Sequence, residues 1–216
     1  RPSRIEDWRL SVGGLVAKPL EFTLPEVRAL PSEARLQDVI CVTGWTRLDM
    51  RFRGVSLQTV IELCQPLPDA KFVSFLAYSL RDHDTSLPLD FARQHTLLAY
   101  EADGQPLTSE HGAPLRSVTA HKYFYKSVKW LHAIEFLAED RLGYWERASA
   151  YHNDADPLKE LRYDPKPMSD EEFARRLKAK DFSDCLAIMD VKFKRLRGAD
   201  LSGADFTGAR IKACDL

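Results

Sequence analysis

The chain has 216 residues, with 31 Lys+Arg against 32 Asp+Glu and a formal net charge of -1. That length suits one sizeable core, or one large domain with an appendage. The charge balance excludes bulk attraction to nucleic acid or an anionic membrane, so any anion site must be local. No apolar run reaches the roughly 18 residues of a membrane-spanning helix, so no such span is expected. Cys41, Cys64, Cys185 and Cys214 form no CxxC pair and are too few for a disulfide framework. They suit a reducing compartment without excluding export. The chain opens at Arg1 with neither an initiator Met nor a signal-like apolar stretch, which leaves a bacterial-type periplasmic or cytoplasmic location open.

In chain order, Trp8, Leu10 and Val12 alternate as in a strand, and Gly13-Gly14 interrupts it. Thr23-Leu24-Pro25-Glu26 has the spacing of a capping box and predicts a short helix that ends before Pro31. Val39 to Thr43 reads as a strand ended by a turn at Gly44. Behind it, Arg47, Arg51 and Arg53 read as turn or strand residues. Cys41, at the end of this strand beside several arginines, suits either a buried core position or a metal ligand whose co-ligands are negative; the local pattern leaves both open. Leu57, Val60, Ile61 and Cys64 share a helical face, with Ser56 as N-cap. Strands are predicted over Lys71 to Tyr78, Leu97 to Tyr100, Leu115 to Thr119 and Val128 to Leu137. Leu87 to Phe91 reads as a helical turn, and Asp103-Gly104 as a tight turn. Short strands, short helices and no regular βαβ alternation predict a mixed α+β domain.

After Tyr163, Asp164-Pro165-Lys166-Pro167 reads as a linker, and Ser169 to Glu172 as an acidic helix start. The tail then repeats in fives, with small residues at 199, 204, 209 and 214 and bulky apolar ones at 201, 206, 211 and 216. Neither a helical nor a strand period produces this pattern. It resembles the pentapeptide-repeat family, which implies a short β-helical coil that docks on the main domain or on a second subunit, a route to a homo-oligomer. The expected division is therefore 1–163, 164–180 and 181–216.

Four blocks remain. They are Cys41-Val-Thr-Gly-Trp45 with Gly54-Val55, His111-Gly-Ala-Pro-Leu-Arg116, Tyr125-Lys-Ser-Val-Lys-Trp130 with Ile134-Glu-Phe136, and Tyr144-Trp-Glu146 with Tyr151-His-Asn153 and Asp156-Pro157. In this order they resemble the molybdopterin-binding catalytic domain of the sulfite-oxidase-like oxidoreductases, on the bacterial branch that includes the methionine-sulfoxide-reducing subunit. The resemblance implies an α+β sulfite-oxidase-like fold and a molybdopterin (Mo-pterin) cofactor. It also implies Cys41 as the soft thiolate that joins the pterin's two dithiolene sulfurs on molybdenum. His111, Arg116, Lys126, Ser127, Val128 and Lys129 are then the cofactor-binding set, with the cations serving the phosphate. If Val128 to Leu137 is a strand, Ser127 and Lys129 emerge on one face. Arg47, close behind the cysteine, is the expected attractor of an anionic substrate, and Tyr125 (with Tyr123 and His121) the expected proton donor.

The implied reaction is a two-electron oxygen-atom transfer on a small oxo-substrate, favoured as sulfoxide or S-/N-oxide reduction, with sulfite oxidation as the alternative. An external electron partner is expected, because no haem or flavin motif is present. Departures from the family pattern are His111 in place of asparagine, Ala77 in place of threonine, and a pentapeptide-like tail in place of an immunoglobulin-like domain. Two other classes compete: a catalytically silent scaffold on the same fold, and a zinc site built from His83, Asp84, His95 and His111, whose spacing fits no compact zinc pattern.

Overall fold

The computed structural model describes residues 5–164, 170–182 and 198–205. The first strands, β1 (Leu10–Gly14) and β2 (Leu20–Phe22), pair antiparallel. Helix α1 (Leu24–Ala29) follows with its capping box complete: Glu26 N–H donates to Thr23 Oγ1 at 3.4 Å and Thr23 N–H to Glu26 Oε2 at 2.7 Å. Each bond satisfies a first-turn donor that the helix itself leaves open. Strands β3 (Ser32–Ile40) and β4 (Thr46–Ser56) form a long hairpin, and Ser56 caps α2 (Leu57–Cys64) by accepting from Gln58 N–H at 3.3 Å. The chain continues through β5 (Phe72–Ala77), β6 (Asp84–Pro88), α3 (Leu89–His95), β7 (Thr96–Ala102) and β8 (Gln105–Pro106). It then forms β9 (Arg116–Thr119), β10 (Leu131–Leu137), α4 (Tyr144–Ser149) and α5 (Asp170–Ala179).

Two five-stranded sheets result among these residues. One has the order β2-β1-β10-β5-β6, with β1 and β10 parallel and the other neighbours antiparallel. The other runs β3-β4-β7-β8, with β9 also paired to β7. The main core collects Trp8, Leu10, Val55, Leu57, Val73, Phe75, Leu98, Leu131 and Phe136, all almost fully buried. Trp8 keeps its indole N–H satisfied on the Leu131 carbonyl at 3.1 Å, so the largest core side chain is buried without a stranded donor. The predicted apolar face of α2 is buried throughout, and burial pushes the Cys64 thiol up to about 11, which leaves it an inert core residue.

Of the two readings open for Arg47, Arg51 and Arg53, the strand holds: all three sit within the 11-residue β4. Two expectations are corrected. Asp84–Pro88 is a strand that alternation did not reveal. Strand β10 begins at Leu131, because Trp130 has a left-handed φ of 56°, so the shared-face argument for Ser127 and Lys129 lapses. The repeat positions 206, 211 and 216 lie outside the described residues. Among those described, Phe182 N–H donates to Asp205 O at 2.8 Å, bringing the segment after α5 beside the first repeats.

Gly54 shows how closely the second sheet is fitted. A Cβ there would stand 2.0 Å from the Leu98 carbonyl oxygen on β7, beside the bulge between Arg53 and Gly54. Backbone cannot yield as a flexible side chain does. Gly54→Ala is therefore expected to lower stability by about 3 kcal/mol, measured as a shifted urea midpoint.

Candidate functional site

The β3–β4 hairpin delivers Cys41. Its N–H donates to Trp45 O at 2.9 Å and its carbonyl accepts from Gly44 N–H at 3.1 Å, closing a tight turn. Gly44 takes a φ of 102°, which a side chain would resist. The half-buried Cys41 Sγ lies 3.0 Å from Thr43 Oγ1 and opens onto a cleft of about 400 Å³.

The opposite wall comes from β9 and the segment between it and β10. Arg116 is only 3% exposed, yet no carboxylate among the described residues meets it. Its donors go to the carbonyls of His111 at 3.0 Å, Ser127 at 3.3 Å and Ser117 at 3.4 Å, and its guanidinium lies 4.5 Å over the Phe124 ring. Desolvation alone draws its pKa down to about 10, so it stays charged at neutral pH. A buried, charged fork without an acidic partner is poised for an anion. Ser127 and Val128 are clamped by two bonds from backbone N–H to serine hydroxyl: Thr119 N–H donates to Ser127 Oγ at 3.0 Å and Val128 N–H to Ser117 Oγ at 2.7 Å. Lys129 Nζ donates to the Glu110 carbonyl at 2.8 Å, and its stem packs where a Cβ on Gly112 would stand 2.9 Å away.

Aromatic rings complete the cleft. Trp45, Trp130, Trp145, Tyr125 and Tyr151 line it. Tyr151 stacks on Trp145 at 5.7 Å and meets Tyr125 at 4.9 Å. The Tyr125 hydroxyl donates to His152 O at 2.5 Å, and burial, then Glu146, hold its phenol far above the ordinary range. A second cavity of about 480 Å³ adjoins the first and shares Trp45, Arg116, Phe124 and Lys129 with it.

The expected site residues therefore divide. Cys41, Arg116, Tyr125, Ser127, Val128 and Lys129 share the cleft. His111 faces the second cavity, its Nδ1 2.7 Å from Thr108 Oγ1. Arg47 is also there, paired with Asp103 at 2.8 Å and mostly exposed. Lys126 lines neither: it is fully buried, bonded to Glu146, to Ser86 O at 3.1 Å and to Asn153 Oδ1 at 2.9 Å. Its neighbours in sequence suggest a phosphate cation, but its charge is already neutralised inside the fold. His83, Asp84, Trp145 and Tyr151 line the cleft without having been singled out for it. The density of aromatic residues from 123 to 163 was the available signal for two of them. Among the described residues no three His, Cys, Asp or Glu side chains converge on a metal position, which removes the zinc reading.

These features fit a planar, anionic, sulfur-bearing group: an accessible thiol, a buried cation that meets no carboxylate among the described residues, and flat aromatic walls. The comparisons agree on the class. The fold matches the sulfane dehydrogenase SoxCD from Paracoccus pantotrophus with a TM-score of 0.64 at 23% identity, over 70% of this chain and 43% of that one, a sulfite-oxidase-like fold. Residues 1–145 match the family described as "Oxidoreductase molybdopterin binding domain", and the chain belongs to that family. It is a molybdopterin-dependent oxidoreductase. It is 41% identical to the "Uncharacterized oxidoreductase YuiH" of Bacillus subtilis (strain 168), over 72% of this chain and 78% of that protein. It is 30% identical to the "Protein-methionine-sulfoxide reductase catalytic subunit MsrP" of Campylobacter jejuni, over 65% of this chain and 52% of that protein. The chain thus spans about half of that reductase subunit. Residues 194–216 match "Pentapeptide repeats (8 copies)". No helix among the described residues is long and apolar enough to cross a membrane.

The two lysines flanking Ser127 are expected to behave differently. Lys126→Met strands the buried Glu146 carboxylate and should lower stability by about 3–5 kcal/mol. Lys129→Met, at the cleft rim, should change it by less than about 1 kcal/mol. Urea unfolding of both variants without cofactor checks this.

Proposed function

We propose that the chain reduces a small S- or N-oxide, the sulfoxide class being favoured, with electrons from an external donor. The observation that carries this reading is the position of Arg47. Its guanidinium is paired with Asp103 in the second cavity. With Arg116 and Lys129 taken up by the cofactor, the rings of Trp45, Trp145 and Tyr151 are left to the substrate and suit an uncharged oxide better than sulfite. The name of the C. jejuni relative, a methionine-sulfoxide reductase subunit, supports the same class.

In this reading the Cys41 thiolate is the protein ligand to the metal. Arg116, Ser127 and Lys129 hold the anionic end of the cofactor, with His111 beside them. When bound, the cofactor supplies two-electron oxygen-atom exchange, and the protein supplies orientation and electrostatics. Arg116 meets negative charge at no cost of reorganisation, because three carbonyls already fix its fork. The aromatic walls exclude water and orient an apolar substituent of the substrate. Tyr125 orients the cleft wall through its bond to His152 O, and its raised pKa keeps it protonated at every working pH. Residues 1–163 form the catalytic unit, and 181–216 are an interaction tail through which copies of the chain could associate.

Steady-state assays test the reaction. Methionine sulfoxide with reduced viologen should be turned over, and sulfite with an electron acceptor should not; rapid sulfite turnover lost in Arg47→Ala would reverse the conclusion. Cys41→Ser exchanges a soft donor for a hard one and is expected to abolish turnover while the urea midpoint stays near wild type. Arg116→Met with Lys129→Met should lower molybdenum content per chain, measured by plasma mass spectrometry.

A further inference from the structure

His83 sits where the Cys41 cleft meets a smaller cleft of about 370 Å³, and it lines both. It is the last residue of the loop that joins β5 to β6, and its backbone is held because Ala77 N–H donates to His83 O at 2.9 Å. The ring is wedged against Tyr144 (4.3 Å between centroids) and Trp145 (5.7 Å). Its Nδ1 lies 2.6 Å from Ser79 Oγ.

The surroundings of Ser79 decide which of these two atoms carries the proton. Its Oγ already accepts the N–H of Arg81 at 3.1 Å and of His83 at 3.4 Å. A hydroxyl has two acceptor positions and one proton, so the proton is left for His83 Nδ1. Nδ1 is then an acceptor, and the ring hydrogen is on Nε2. That nitrogen has no hydrogen-bond partner among the described residues. A charged ring would need Ser79 Oγ to accept a third bond.

We propose that His83 is a specificity-determining residue of the cleft: a neutral imidazole, locked by Ser79, that presents Nε2–H as a fixed hydrogen-bond donor to the oxygen of the substrate oxide. This assignment rests on the reductase reading above. A fixed donor to an oxo group, stronger as negative charge gathers on that oxygen, favours S- and N-oxides over substrates that lack it. His83 only donates a hydrogen bond. The overall change is oxide plus two electrons from the external donor and two protons from solvent, giving the reduced compound and water. The charges facing His83 are mixed. Arg81 lies on its own loop, Asp82 and Asp84 flank it, Arg147 from α4 bonds Asp84 at 2.9 Å, and His132 and Arg141 lie across the smaller cleft. Desolvation and then Arg81 hold the imidazole pKa below its ordinary value, against the opposite pull of Asp84, so the neutral form persists at lower pH than usual.

Two measurements test this. In the full-length ¹⁵N-labelled protein, two-bond proton–nitrogen correlation reads the tautomer of each histidine without requiring turnover, with His83 assigned by its loss in His83→Gln. The expected pattern at pH 8 is protonation on Nε2 only, and in Ser79→Ala the ring proton should divide between Nδ1 and Nε2. A proton on Nδ1, or a charged ring at pH 7, overturns the proposal. In viologen-coupled methionine sulfoxide assays, His83→Phe should lower kcat/KM about tenfold. His83→Gln, whose amide nitrogen stands near the place of Nε2, should retain most of it. Wild-type kcat/KM in a folded His83→Phe variant overturns the proposal alone. A wild-type enzyme that turns over no oxide, with the tautomer as expected, overturns the reductase reading and the substrate role with it.

Discussion

The buried ion pair of Lys126 with Glu146 is the contact on which the cleft depends. Lys126 belongs to the short turn between β9 and β10, Glu146 to α4, Ser86 to β6 and Asn153 to the segment after α4. One ammonium therefore ties four separate pieces of chain at a single point. Each of those pieces also carries cleft residues: Tyr125 and Ser127 flank the lysine, Trp145 precedes the glutamate, His83 and Asp84 lead into β6, and Tyr151 lies just before Asn153. An apolar contact of the same size would hold these elements together with little preference for register. A charge needing three oxygen partners in the right directions admits far fewer arrangements. Gly143 belongs to the same constraint, since a Cβ there would stand 2.8 Å from Glu146 Oε2 and 2.6 Å from Asp84 O.

Desolvation lowers the Lys126 pKa and Glu146 opposes the shift, which is the signature of a buried pair whose two members depend on each other. This contrasts with Arg116, buried to a similar degree and bonded to no carboxylate among the described residues. The two cations come from one stretch of about ten residues, yet one closes the fold and the other is left available. Neutralising Lys126 internally keeps the positive field of the cleft concentrated on Arg116 and the rim lysine, Lys129. That division lets a chain of near-zero net charge hold a local anion site.

Features set by neighbouring residues could be read before the structure was known. The Thr23 box, the Ser56 cap, the apolar face of Leu57, Val60, Ile61 and Cys64, and the turn at Asp103-Gly104 each depend on residues within one or two turns of each other. The five-residue period of the tail is equally local. Strand β4 escaped because its outward positions hold arginines and its inward ones include Gly54, so the alternation of a half-buried strand is diluted. Strand β6 is only five residues long and closes on a proline. The role of Lys126 could not be read locally at all, since its partner lies 20 residues away and only tertiary packing brings it near. Arg47 misled for the same reason: Asp103, which pairs with it, comes from the turn between β7 and β8.

The same long-range pairing shapes the boundary between the two cavities. Trp45, Arg116, Phe124 and Lys129 belong to both, and Phe124 supports Arg116 from beneath while packing at 6.3 Å on Phe52 of β4. A cation held on that partition reaches charge on either side, so one arginine can serve an anion that extends through both spaces. Tyr123, stacked with Tyr125 at 6.5 Å and packed with Val42 and Ala155, carries the opposite side of the same turn down to the Cys41 hairpin. The thiol and the guanidinium are therefore linked through one short turn, whose adjacent residues Tyr123 and Phe124 pack in two different clusters, one beside the Cys41 hairpin and one beneath Arg116.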